Sequence, residues 1–497
     1  MPPEAPNNVI RYAPLWVHLS VYVLTCLIAA VPFYLGYGPF LVLVDYFSGT
    51  AVPKSFSPEQ TAALLALFLG APALFTLGYL MAMRIKISPL AAVFRAMAGS
   101  RDHAVPDWFP GLVFCVAASI GLYDLAQTGA FSRLGAWVDY GQWIQARWGL
   151  FSTLGYFNFV NLYLIVPLSA AWAILTVQGA GLWRQAARWI PVAIVVALTF
   201  FLFQKKALIT ALIIIFGAML LHRALSEGWG RRLTWLFAAG TGLLAVVYFL
   251  LVVLPVYSET SKTADEVLKP AAQQQEATQQ QEQNRSRGAA VVSLLGPDRE
   301  AHVLVYALLA PMTRTSAPAM YYPIVFPEHH GYFGLDLGQD ILGWGSMPDD
   351  NRVVWKYMYP DMPGGSVAAP FQFVLYSQVG TGWSLMLSAL LGALCGVLWQ
   401  GIVTGDGDRA WRSLMGAVLL LFSIYLAIDS LRGSLVASYG VIWGWLFISL
   451  SFFIGRLLKR RQEFEPARLT ALTETTREAD SSKPQDGFGR VGGYPLP

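Results

Sequence analysis

Leu243-Leu244-Ala245-Val246-Val247-Tyr248-Phe249-Leu250-Leu251-Val252-Val253-Leu254-Pro255-Val256-Tyr257-Ser258 is where the chain stops reading as membrane. Upstream, apolar stretches follow one another with short polar connections. Downstream, the segment from Tyr257 to about Ala369 leaves that pattern before it resumes. Connections beyond about 15 residues are uncommon unless they are functional or disordered. This one begins as a Gln-rich tether and becomes dense in aromatic rings, carboxylates, His and Arg.

The rest of the composition agrees with a membrane reading. Apolar residues make up 55% of the 497 and charged residues only 13%, against roughly 25% charged in soluble domains. Lipid offers the backbone no hydrogen-bond partner, so only helices or closed barrels cross it. Barrel strands would alternate in polarity, and these runs do not. The chain therefore reads as an all-α polytopic membrane protein with about ten transmembrane helices and one large loop between helices 7 and 8. The expected spans are 15–35, 60–83, 108–125, 154–177, 190–203, 207–221, 233–254, 371–399, 414–428 and 436–457. The fifth and sixth are short and form a hairpin around Gln204-Lys205-Lys206. The eighth begins as a surface half-helix and breaks near Gly380-Thr381-Gly382.

Residues 1–257 thus carry helices 1–7. Residues 258–369 form the loop, divided into a tether (258–290) and a substrate-binding lid (291–369). Residues 370–461 carry helices 8–10, and 462–497 a polar tail expected to lack regular structure. The first apolar run exceeds the 7–15 residues of a signal peptide's core, so it reads as a retained span. Lys and Arg fix the orientation. Arg84, Lys86, Arg95, Arg101, Arg184, Arg188, Arg223, Arg231, Arg232, Arg409 and Arg412 fall in one set of connections, and Lys459, Arg460 and Arg461 join them in the tail. That set is cytoplasmic, as are both termini, and the loop is periplasmic. The net charge of +4 makes no case for nucleic acid. Cys26, Cys115 and Cys395 lie in apolar spans and read as small core residues.

Basic residues on the outer face run against this bias. Lys205 and Lys206 either snorkel to the interface or form a cationic site at the bilayer surface, where a lipid diphosphate would lie. Arg432 follows the ninth span, with Asp429 one turn back as its expected ion-pair partner. In the loop, the apolar spacing predicts a helix over 301–312, lying on the membrane or the bundle and ended by Pro318. Arg314, beside Thr313, Thr315 and Ser316, is an anion ligand. Tyr322, Arg352 and Trp355 belong to a run of rings and polar groups suited to a sugar chain. Glu328, His329 and His330 are candidates for a base that takes a proton from a hydroxyl. Adjacent His residues lack metal-site spacing, so no metal is assigned.

Three stretches resemble bacterial O-antigen or exopolysaccharide repeat-unit polymerases (Wzy-type), relatives of the O-antigen ligases. They are Phe203-Gln204-Lys205-Lys206-Ala207-Leu208-Ile209, Gly364-Gly365-Ser366-Val367-Ala368-Ala369-Pro370 running into Leu375-Tyr376-Ser377-Gln378-Val379-Gly380-Thr381-Gly382, and Leu431-Arg432-Gly433-Ser434-Leu435. A Lys pair stands where that family often has Arg, and Arg352, twelve residues before Gly364, nearly but not fully matches the arginine-glycine spacing of some family loops. The resemblance implies an inner-membrane glycosyltransferase that joins undecaprenyl-diphosphate-linked oligosaccharides on the periplasmic face. It requires no nucleotide, metal or other cofactor. It also implies chain-length regulator and flippase partners. On it, His330, Arg314 and Arg432 are catalytic, and Lys205, Lys206, Arg352, Tyr322 and Trp355 bind substrate. Three rivals stay open: a flippase or transporter, an O-antigen ligase or acyltransferase, and a non-catalytic assembly subunit.

Overall fold

The computed structural model describes residues 8–36, 39–41, 43–44, 56–85, 105–133, 140–176, 182–228, 230–258, 260–261, 298–334, 350–360, 367–405, 407–429, 434–435 and 440–481. Every regular element among them is helical. In chain order these are α1 (Ala13–Phe33), α2 (Pro58–Arg84), α3 (Phe109–Gln127), α4 (Tyr140–Thr153), α5 (Tyr156–Thr176), α6 (Leu182–Phe200), α7 (Lys205–Glu227), α8 (Arg231–Tyr248), α9 (Arg299–Val325), α10 (Asp350–Met358), α11 (Phe371–Thr404), α12 (Arg409–Ile428) and α13 (Val441–Ser481). Eight of them are long and apolar enough to cross a bilayer: α1, α2, α3, α5, α7, α11, α12 and the part of α13 up to Glu463. The expected fifth and seventh spans correspond to α6 and α8, which fall short of that measure. In α5 and α12, 83% of the apolar window is buried inside the protein, against 33–44% in the other six. These two are the interior helices, and the others keep a face for lipid.

Proline placement explains an irregularity that recurs along the chain. Among the described residues four π-helical turns occur, at Val23–Ile28, Ala66–Gly70, Asn161–Ile165 and Phe249–Val253. Pro32, Pro72, Pro167 and Pro255 follow them. Proline has no N–H for the carbonyl four residues earlier, and its ring crowds that carbonyl. Those carbonyls belong to Ile28, Phe68, Tyr163 and Leu251, each inside one of the turns. The helix widens where the bond is missing and continues.

Side chains contribute only part of the packing force, because lipid is as apolar as the helices themselves. Close backbone approach takes over between α2 and α11, the most extensive helix pair. A Cβ on Gly78 would lie 2.0 Å from the Ala389 carbonyl oxygen, and one on Gly392 would lie 2.0 Å from that of Phe75. Gly392-Ala393-Leu394-Cys395-Gly396 is a small-xxx-small element, extended upstream by the buried Ser384 and Ser388. Polar bonds add register. Asn161 donates from Nδ2 to the Ala117 carbonyl at 3.0 Å, tying α5 to α3. His18 Nδ1 lies 2.9 Å from the Ser423 carbonyl, tying α1 to α12.

One end of the bundle is basic: Arg11, Arg84, Arg223, Arg409, Arg412 and Arg456 all fall there by helix direction. Trp399 Nε1 donates to the Ile10 carbonyl at 2.8 Å and Arg11 Nη2 to that of Met83 at 3.1 Å, so the ends of α2 and α11 meet the start of α1. The opposite end carries a cap made from the loop. Here a second core joins Tyr22, Cys26 and Phe33 of α1 and Leu64 and Phe68 of α2 to Met320, Tyr322, Val325 and Phe326, with Val354 and Met358 of α10.

Several expectations are corrected. The loop helix does not stop at Pro318. It runs to Val325 through Pro311, Pro318 and Pro323, because burial of 317, 319–322 and 325 against α1, α2 and α11 outweighs the missing bonds. The half-helix opening α11 is buried from Phe371 to Gln378 rather than lying on the surface. The tail is helical as far as Ser481. Cys26 and Cys395 are core residues, but Cys115 is exposed on the bundle's outer face. Apart from 258, 260 and 261, the Gln-rich tether (258–290) lies outside the described residues.

Candidate functional site at the capped end

The hairpin expected around Gln204-Lys205-Lys206 is present. α6 ends at Phe200, and Phe203 takes a left-handed φ of 52° so that α7 can start at Lys205. This turn sets Lys206 against the last turn of α12. Lys206 Nζ donates to Asp429 Oδ2 at 2.6 Å, and the two side chains keep 39% and 15% of their exposure. Nζ also lies 4.6 Å from the centre of the Tyr425 ring, within cation–π range. The Tyr425 hydroxyl in turn meets Thr210 Oγ1, closing α7 onto α12. Asp429 was expected to pair with Arg432. Lys206, which lies nearly half the chain away in sequence, is a partner that the sequence did not suggest. Arg432 lies outside the described residues. Lys205 is half-buried beside Lys206.

The cap contributes the second group. At its centre is the buried carboxyl group of Asp350, 3% exposed, in the first turn of α10. Tyr322 Oη lies 2.8 Å from Asp350 Oδ2 and 2.9 Å from Asn351 Oδ1, and donates its proton there. Ser377 Oγ of the half-helix reaches Asp350 Oδ2 at 3.3 Å. The Tyr376 hydroxyl donates to the Phe326 carbonyl at 2.8 Å. Two strand-like bonds finish the seam, from Phe333 N to the Ser377 carbonyl and from Gly334 N to that of Gln378. Three segments far apart in sequence are thereby fixed on one another: the end of α9, the start of α10 and the half-helix.

Gly380 is where the half-helix turns into the span, with φ 76° and ψ −179°. Only glycine adopts that region without strain, and a Cβ would meet the Tyr332 ring at 3.3 Å. The break expected near Gly380 is therefore a turn under Tyr332. Gly380→Ala should cost about 1–3 kcal/mol, read as a lower unfolding temperature in detergent. An unchanged temperature would mean that the turn is not strained.

The remaining expected residues fall into place as follows. His330 is half-buried, its ring 4.6 Å from that of Phe333 and 5.6 Å from that of Phe326. Its Nδ1 lies 2.7 Å from the Gly331 carbonyl. A carbonyl only accepts, so the neutral ring carries its proton on Nδ1 and presents a lone pair at Nε2. His329 lies 4.9 Å from the Tyr357 ring, and Glu328 accepts from Gln60 Nε2 at 3.3 Å, linking cap to α2. Tyr322 is 0% exposed, so its position is a core and hydrogen-bonding one rather than an open sugar-binding face. Trp355 is half-buried and packs on Tyr359 at 4.3 Å, and Arg352 is exposed on α10. Arg314 sits within α9, and its side chain is outside the described ones. Sequence reasoning missed Asp350 and Ser377 as bonded groups. Their only signal was a carboxylate opening a short amphipathic helix.

The geometry gathers a half-exposed ammonium, an imidazole with an open nitrogen and a belt of rings at one end of a membrane bundle. Comparison with protein-family models, with characterised proteins and with solved structures finds no match for the chain.

Proposed function

We propose that this protein is a glycosyltransferase of the bacterial inner membrane, with both termini cytoplasmic. On this reading it polymerises undecaprenyl-diphosphate-linked oligosaccharide repeat units at its capped, periplasmic end. The observation that supports the reading is Lys206 in the first turn of α7, at the same end of the bundle as a cap holding His330, Arg352 and Trp355.

The chemistry asks little else of the protein. An acceptor sugar hydroxyl attacks the anomeric carbon of the donor glycan. A glycosidic C–O bond forms, the C–O bond to the lipid diphosphate breaks, and the diphosphate leaves with the electron pair. The hydroxyl proton passes to a base, for which His330 Nε2 is the group offered. Cations stabilise the charge that grows on the leaving diphosphate, and Lys205, Lys206, Arg314 and Arg432 fill that role. Arg352 and the rings of the cap bind the glycan. Tyr322 supports them from below by holding Asp350.

Deletion of the gene tests the reading. The mutant should display single repeat units on the normal carrier, seen as loss of the ladder on a polysaccharide gel. Complete loss of surface glycan would favour a flippase or a ligase. Lys206→Ala, Arg314→Ala and Arg432→Ala should each abolish the ladder at normal protein level. Full-length polymer from all three would remove the cations from the mechanism.

A further inference from the structure

We infer that Asp429 is a resident stand-in for the anionic group of the substrate, holding Lys206 until a diphosphate displaces it. The inference rests on the functional reading above and adds a competitor within the same site.

Three features of the pair point this way. First, each ion stands at the electrostatically unfavourable end of its own helix. Lys205 and Lys206 open α7, where the helix dipole already presents positive charge, and no side chain caps that end. Asp429 closes α12, where the dipole presents negative charge. Helix dipoles favour the opposite arrangement. A cationic first turn favours an anion, and Asp429 Oδ2 supplies one from within the chain, 2.6 Å from Lys206 Nζ.

Second, the pair is only partly buried, and more so on the carboxylate side. Lys206 keeps 39% of its side-chain exposure and Asp429 only 15%. An incoming anion can approach the ammonium from the exposed side without first unpacking the helices. Partly exposed pairs are weak enough to exchange. A diphosphate diester brings two negative charges against the one of Asp429, and its oxygens can engage more than one of the three Nζ donors.

Third, Lys206 keeps its place when Asp429 lets go. The Tyr425 ring lies under Nζ, and Tyr425 is held by Thr210, so cation–π contact retains the ammonium while its hydrogen-bond partner changes. Asp429 has already left helical geometry, with φ −145° and ψ 169°, and its side chain can swing without unwinding α12.

The experiment is equilibrium binding of labelled undecaprenyl diphosphate to the full chain in nanodiscs, with inorganic diphosphate as competitor. Asp429→Asn should tighten binding of both by about tenfold. Lys206→Gln should abolish the gain, and the double variant should bind no better than Lys206→Gln alone. The double variant keeps a neutral pair of similar shape and guards against misfolding of either single one. Unchanged or weaker binding by folded Asp429→Asn protein would overturn the inference, as would a double variant that binds like Asp429→Asn. Tightening seen with inorganic diphosphate but not with the lipid would uphold the exchange and count against the lipid-linked substrate instead.

Discussion

Gly392→Val should leave almost no folded protein in the membrane. The obstacle is backbone: a Cβ at this position would stand 2.0 Å from the Phe75 carbonyl oxygen, and no rotamer change can relieve it. Overpacking that side chains can absorb costs about 1–3 kcal/mol. Here α2 and α11 must separate, and with them goes the close contact at Gly78 and Gly396. Because α11 also carries the half-helix under the cap, the damage reaches the capped end. Size-exclusion profiles and thermal unfolding in detergent would show it. Gly111→Ala is the control, since nothing lies within 4 Å of a Cβ there, and it should behave as wild type. A folded Gly392→Val protein with wild-type stability would mean that the helices are not in backbone contact.

Tyr322→Ala should detach the cap. The side chain is wholly buried, between the Phe326 and Phe373 rings at 6.0 Å each. Emptying such a site costs about 3–5 kcal/mol. The change also removes a donor from the buried Asp350, and a hydrogen bond of this kind is worth roughly 0.5–1.5 kcal/mol net. Tyr322→Phe separates the two effects, because it keeps the ring and loses only the hydroxyl. The expected order of protease sensitivity in the cap is wild type, then Tyr322→Phe, then Tyr322→Ala, with the bundle intact in all three. Equal sensitivity would show that Tyr322 does not hold the cap to α10 and the half-helix.

The helical membrane class could be read from the sequence because it rests on run length and polarity, which the chain states directly. The hairpin at Gln204-Lys205-Lys206 and the break at Gly380 were legible for the same reason: glycine and a charged turn are local signals. What failed depended on contacts between distant segments. Pro318 looks like a helix end, and only packing against α1, α2 and α11 carries α9 on to Val325. Lys206 and Asp429 pair across 223 residues of sequence, which leaves no local signal. Tyr322 looked like a sugar platform because aromatic residues serve both cores and binding faces. Burial alone tells them apart.

The most direct test uses purified protein in proteoliposomes with a synthetic undecaprenyl-diphosphate-linked oligosaccharide as sole substrate. The account predicts glycans of two, three and more repeat units, with one free undecaprenyl diphosphate released for every new glycosidic bond. It also predicts that Lys206→Ala stops both. Movement of the lipid-linked oligosaccharide across the bilayer without new glycosidic bonds or released carrier would contradict it.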